Sequence, residues 1–173
     1  MESKPFVFRR YKESDADILY EEYSDYCQAN IQPYFSGMRV DTEKKVFMKE
    51  IEKFSQKQHR PSIVANVNGV PVGVYHIVYR HANQYYELML HLWNDKHLIE
   101  SVLKEIIDQA LHRDCPNSSL LVEIPGYAPE LKQTADNLGL DLAGMIPNYL
   151  RHGENLFYKY TYVITSKKWH SNN

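Results

Sequence analysis

Two side chains able to exchange protons near neutral pH, Glu87 and His91, stand four residues apart in the run YYELMLHLW. Leucines at 88, 90 and 92 alternate with Glu87, Met89, His91 and Trp93, the period of a strand with one buried face, so the carboxylate and the imidazole share the other face. Groups of these two types can serve as a base. Each also has a plainer reading: a charge at an exposed strand end for Glu87, and a hydrogen-bonded packing ring for His91. The stretch WNDKHLIESVL follows at once. In it Asn94 or Asp95 can cap a helix, while Lys96 and His97 add positive charge beside N–H groups that favour an anion. Here the plainer reading is a cap on a structural helix. Eight histidines raise the question of a metal, but none is paired at the i, i+4 spacing of helical zinc sites, and no metal is expected.

These residues need a scaffold, and the composition says what kind. A chain of 173 residues has the length of one ordinary domain with its own core. Hydrophobic residues make up 43% and charged ones 24%, the mix of a soluble globular protein. A net charge of −2 supplies no field to draw in phosphate backbones or anionic lipid, so neither nucleic acid nor a membrane is an expected partner. No apolar run approaches the roughly 18 residues of a membrane span, and MESKPFVFRR lacks the apolar core of a signal peptide. Cys27 and Cys115 sit in no metal or redox spacing, which fits a reducing cytoplasm. Fourteen tyrosines suit core edges, pocket walls and interfaces alike.

Periodicity orders the elements. Phe6 to Phe8 reads as a strand, and Ser14 with Asp17 as a capping-box-like start to a helix carrying Ala16, Leu19, Tyr20, Tyr23 and Cys27 and ending near Asn30. Asp41 or Thr42 can cap a second helix with Phe47, Ile51 and Phe54 on its inner face. Asn68-Gly69, between apolar runs, predicts a hairpin with a type I′ turn, with Pro71 at a strand start. The Tyr85 to Trp93 strand, a helix with Ile99, Val102, Leu103, Ile106 and Ala110, and the strand Ser119 to Ile124 make a crossover, which predicts parallel pairing. Pro129 opens a last helix with Leu131, Ala135 and Leu138 inside, and Gly139 caps its C-terminus. Asp141 to Leu150 and Leu156 to Thr165 finish as a hairpin. Residues 1–166 are expected to form a single domain and 167–173 a C-terminal tail.

Over roughly Phe6 to Thr165 the chain resembles the GNAT superfamily of N-acetyltransferases, and within it the branch of ribosomal-protein alanine N-acetyltransferases. The resemblance rests on FRRYKESDADILYEEY, on NGVPVGVYHI, and above all on LGLDLAGMIPNYLRHGENLFYKYTYVI, where Leu138, Gly139, Leu140, Gly144 and Tyr158 to Tyr162 stand at family positions. It implies an α/β fold with a mixed, mostly antiparallel sheet of about seven strands, one parallel crossover and four helices. It also implies acetyl-CoA as co-substrate and direct attack by a primary amine, from a small molecule or a peptide, in a cleft between splayed parallel strands.

Carried onto this sequence, the resemblance assigns Glu87 or His91 as base and Leu92, Trp93, Asn94, Lys96, His97 and Leu98 to the cofactor. Tyr34, Phe35, Arg39 and Tyr149 fall on the wall that would meet the amine. Two departures stand out. The WNDKHL loop is degenerate, with no glycine where the family wraps the pyrophosphate, and the tyrosine that serves as acid is absent from ADNLGL, leaving Tyr127, Tyr149 and Tyr158 as replacements. Two alternatives follow: a catalytically silent module that binds a ligand or partner in the same cleft, and a structural homodimer whose Tyr-rich last strand pairs across subunits.

Overall fold

A computed structural model describes residues 5–28, 43–57, 63–80, 85–93, 96–111, 119–152 and 154–172. Seven strands form one sheet, β1 (Phe6–Arg9), β2 (Ile63–Asn66), β3 (Pro71–Arg80), β4 (Tyr85–Leu92), β5 (Ser119–Pro125), β6 (Asp141–His152) and β7 (Asn155–Thr165), in the order β1-β2-β3-β4-β5-β7-β6. The helices are α1 (Ala16–Gln28), α2 (Lys44–Lys57), α3 (Ile99–Gln109), α4 (Pro129–Asn137) and α5 (Ser166–Asn172). β4 and β5 pair in parallel, as the intervening helix predicts. The chain divides into two compact units, one drawn from Met1–Tyr75, His91–Asp95 and Arg151–Asn155, the other from His76–Leu90, Lys96–Leu150 and Leu156–Asn173.

The first unit is built on aromatic and branched side chains. Leu19 of α1, Phe47 of α2, Ile63 and Ala65 of β2 and Val74 of β3 are buried together, with Tyr11, Tyr20 and Trp93 packed against them. The start of α1 corrects the expectation from Ser14 and Asp17. A 3-10 turn, Glu13–Asp15, precedes it, and Asp15 accepts the Lys12 N–H at 2.8 Å. The same buried carboxylate takes both Arg9 guanidinium nitrogens, at 2.7 and 2.8 Å, and Arg9 also donates to the Gly69 carbonyl at 2.8 Å. One bidentate pair thus ties β1 to the helix start and to the hairpin tip. Asp17 pairs instead with Lys44 of α2.

The hairpin turn also differs from expectation. Gly69 has φ +81°, but among the described residues the non-glycine with positive φ is Asn148, so Asn68 does not adopt the second left-handed conformation of a type I′ turn. The Gly69 N–H bonds the Asn66 carbonyl at 2.9 Å, and the Asn66 side chain accepts from Asn68 and Val70 at 3.0 and 3.1 Å. A three-residue loop closed by an Asn side chain and a left-handed glycine replaces the two-residue turn.

The second unit buries one face of its strands. Leu88 and Leu90 of β4, Leu120, Val122 and Ile124 of β5, and Tyr162 and Ile164 of β7 are each at most 2% exposed, as are Val102, Leu103, Ile106 and Ile107 of α3. Pro129 opens α4, and Gly139 follows it with φ +73°, as predicted. Residues 166–172 form α5 rather than an irregular tail. Trp169 is 1% exposed and donates its indole N–H to Asp108 of α3 at 2.5 Å. The last strand cannot pair across subunits, because β7 lies between β5 and β6; the edge strand on that side is β6, with Leu142, Met145, Ile146 and Tyr149 exposed.

Candidate functional site

The β4–β5 ladder runs from Tyr85↔Ser119 to Met89↔Glu123 and stops there, although β4 continues to Leu92 and β5 to Pro125. Proline has no N–H to donate, so it belongs at a sheet position where that N–H would have no partner. Pro125, past the last rung, occupies such a place. On its other side β5 stays zipped, pairing with β7 as far as Pro125↔Lys159. The Gly126 N–H then donates to the Tyr158 carbonyl at 2.8 Å. A Cβ on Gly126 would stand 2.7 Å from that oxygen, so only glycine lets the chain turn this tightly against β7. Within the second unit the ladder thus forks after Met89↔Glu123, with β5 keeping its β7 partner.

Register places the polar groups beside this fork on one face. Residues opposite each other in a ladder share a face, so Glu87 and Met89 lie with Leu121 and Glu123 of β5 and with Val163, Thr161 and Lys159 of β7. Glu87 is half-buried, and the Tyr85 hydroxyl donates to its carboxylate at 3.2 Å. Glu123, on the last β4–β5 rung, accepts from the Lys159 ammonium at 2.7 Å, with the two side chains 20% and 13% exposed. That ammonium also lies 4.5 Å from the centre of the Tyr149 ring of β6. Burial alone would lower the Lys159 pKa, but the Glu123 hydrogen bond and charge, with Tyr149 and Glu87 beyond, outweigh it and raise the value. Tyr127, in the turn after β5, packs edge-on against Phe157 at 6.1 Å, and burial pushes its hydroxyl up to about 12.

The residues singled out in the sequence fall in different places. Glu87 and Tyr149 belong to the second unit and both act on Lys159. His91 belongs to the first unit, where its ring lies 5.8 Å from that of Trp93. Trp93 is partly buried against the first unit's core and gives its backbone N–H to Val72 at 3.2 Å. Leu92 ends β4, half-buried. Lys96–Leu98 form a 3-10 turn leading into α3; His97 is exposed, whereas Leu98 is 5% exposed and stands at the helix N-cap with no side-chain cap. Glu100 places a negative charge in the first turn of α3. Asn94, Tyr34, Phe35 and Arg39 lie outside the described residues, as does Asp95. Tyr158 is exposed and stacks on Tyr160 at 6.0 Å.

Sequence reasoning missed Glu123 and Lys159. A charge inside the apolar run SLLVEIP was the available signal, since the alternation that buries Leu120, Val122 and Ile124 turns Glu123 the other way. Tyr162 was missed too: its hydroxyl donates to Asp136 of α4 at 2.7 Å, and this bond, with Lys132 at 3.0 Å, holds the Asp136 carboxyl below the usual range. Among the described residues no three His, Cys, Asp or Glu side chains converge as a metal site. No helix among them is long and apolar enough to cross a membrane.

No protein-family model matches the chain, and no curated protein sequence does. Solved structures do match. Mutant forms of a spermidine/spermine N-acetyltransferase from Vibrio cholerae superpose with a TM-score of 0.77 at 10% identity, covering 98% of each chain. The Vibrio cholerae spermidine N-acetyltransferase in complex with CoA and spermine gives 0.76 at 8% identity, over 97% of this chain and 99% of that one. A GNAT-family acetyltransferase from Bacillus anthracis gives 0.72 at 12% identity, over 96% and 98%. Identities this low speak for architecture only, and the architecture is that of the GNAT acetyltransferases.

Proposed function

We propose that this protein is an acyl-CoA-dependent N-acyltransferase that moves an acetyl group from acetyl-CoA to a primary amine by direct attack. The observation that carries the reading is the ladder that ends at Met89↔Glu123 while both strands continue. Past the last rung β4 and β5 no longer pair with each other, and the pantetheine arm is a chain of amides that can pair with a strand as an added strand would. The likeness in fold to enzymes of this class, one of them holding CoA and spermine, supports the same reading.

In this proposal acetyl-CoA supplies a thioester, whose C–S bond breaks as the C–N bond to the amine forms. The amine must first lose a proton. Glu87, half-buried beside the fork with Tyr85 donating to it, takes that proton directly or through water. Lys96 and His97 stand at the approach to α3, whose N-terminal N–H groups suit a pyrophosphate, although Glu100 in the first turn opposes one. The glycine-free WNDKHL loop favours a second reading, a silent module that binds a ligand in the same fork.

Thermal denaturation with acetyl-CoA, followed by an assay of CoA release on a panel of primary amines, tests both. The expected result is a rise in Tm that saturates with acetyl-CoA, together with amine-dependent thiol release. A rise in Tm without release on any amine supports the silent module. No rise at millimolar acetyl-CoA excludes the acyltransfer reading and favours the silent module, bound to another ligand or partner.

A further inference from the structure

Resting on the acyltransfer reading, we infer that Lys159 is a specificity-determining residue, selecting amines with a single positive charge and turning polyamines away. Three charged groups from three strands share the sheet face beside the fork: Glu87, Glu123 and Lys159. Two carboxylates on one face would suit a substrate with two ammonium groups. Lys159 prevents this by occupying Glu123 itself, at 2.7 Å, with its ammonium lodged over the Tyr149 ring at 4.5 Å. The arrangement is an internal copy of how a carboxylate and an aromatic ring would hold a substrate's second ammonium.

The pair is partly buried, and both contacts hold the ammonium in place. Glu87, which accepts from Tyr85, is the carboxylate that the acyltransfer reading gives to the incoming amine. A substrate carrying a further ammonium a few ångströms along its chain brings it towards the fixed charge of Lys159, and like charges in a partly desolvated site repel by enough to change rates tenfold or more, on the order of what an effective dielectric near 20 gives. A peptide N-terminus or a simple monoamine pays no such penalty. The polyamine substrates named for two of the similar structures would therefore be poor ones here.

Steady-state acetylation of a monoamine and of spermidine by the full chain tests this, read as the ratio of their kcat/KM values. Lys159→Met leaves Glu123 unpaired and turns one net negative charge on the face into two, so the ratio is expected to move towards spermidine by about tenfold or more. Lys159→Gln, which still offers Glu123 a hydrogen bond, should move it in the same direction. Lys159→Arg keeps the charge and should hold the ratio within about threefold of wild type, and the double variant Lys159→Met, Glu123→Gln restores the net charge and should bring the ratio back towards wild type. A ratio unmoved by both neutral variants while the monoamine still turns over, or moved as far by Lys159→Arg, overturns the inference alone. If the wild-type chain acetylates neither amine nor any other primary amine, the acyltransfer reading fails and this one with it.

Discussion

Glu87 and Lys159 have opposite tasks on one face, and the physics of each follows from its neighbours. Glu87 receives a hydroxyl hydrogen bond from Tyr85, whereas Lys159 is committed to Glu123. Replacing Glu87 with Gln removes a proton acceptor while keeping the shape. The expected result is a fall in kcat of about 100-fold, typical of losing a general base, with the acetyl-CoA-dependent rise in Tm retained. An unchanged rate would remove Glu87 as the base. Tyr127 titrates differently. Burial raises its pKa to about 12, so it remains a neutral donor at physiological pH. Its neutral form stabilises the fold fully below pH 10, and that contribution is lost between 10 and about 12, because the unfolded phenol ionises first. Ultraviolet titration should find a late-ionising tyrosine in the wild type that is missing from Tyr127→Phe.

At the scale of elements, two tethers decide whether the sheet and helices hold. Asp15 is buried and accepts both Arg9 nitrogens and the Lys12 N–H, so Asp15→Ala leaves a guanidinium with no counter-charge and a helix start with no acceptor. The expected cost is about 3–5 kcal/mol in denaturant unfolding, the range for breaking one side of a buried pair. The second tether is Trp169. Its burial in α5 and its bond to Asp108 of α3 predict a loss of about 3–5 kcal/mol for Trp169→Ala. Were the last residues a loose tail, that substitution would leave stability unchanged.

These tethers also mark where the sequence could be read and where it could not. Strand alternation at Leu88 and Leu90, the stripe on α3, Pro129 and Gly139 are local patterns, and the structure follows them; Leu92, at the strand end, is only half-buried. Asp15 looked like one more acidic residue before a helix, because its partner Arg9 lies six residues back and the carbonyl that Arg9 reaches, Gly69, lies 60 away. Trp169 escaped for the same reason: SKKWHSN is polar, and the Asp108 carboxylate that accepts its indole N–H sits 61 residues upstream. Glu87 was legible from alternation. The pairing of Glu123 with Lys159 was not, since it depends on the order of β5 and β7, which no local period encodes.

Across the whole molecule, the seven-stranded order holds one parallel pair whose ladder ends before its strands do, and the proposed chemistry depends on it. Pro125 fits the end of the rungs, and Gly126 turns the chain back against β7, so the backbone of β5 leaves its β4 ladder while keeping its β7 one. Backbone amide hydrogen exchange of the segment that ends β4, read at Leu92 because the Trp93 N–H is already bonded to Val72, with and without acetyl-CoA, tests this most directly. The account predicts that exchange of this segment slows when acetyl-CoA is added and does not slow with ADP, which has the pyrophosphate but lacks the pantetheine amides. Exchange that is already slow in the free protein, or that stays unchanged at an acetyl-CoA concentration that saturates the rise in Tm, would contradict it.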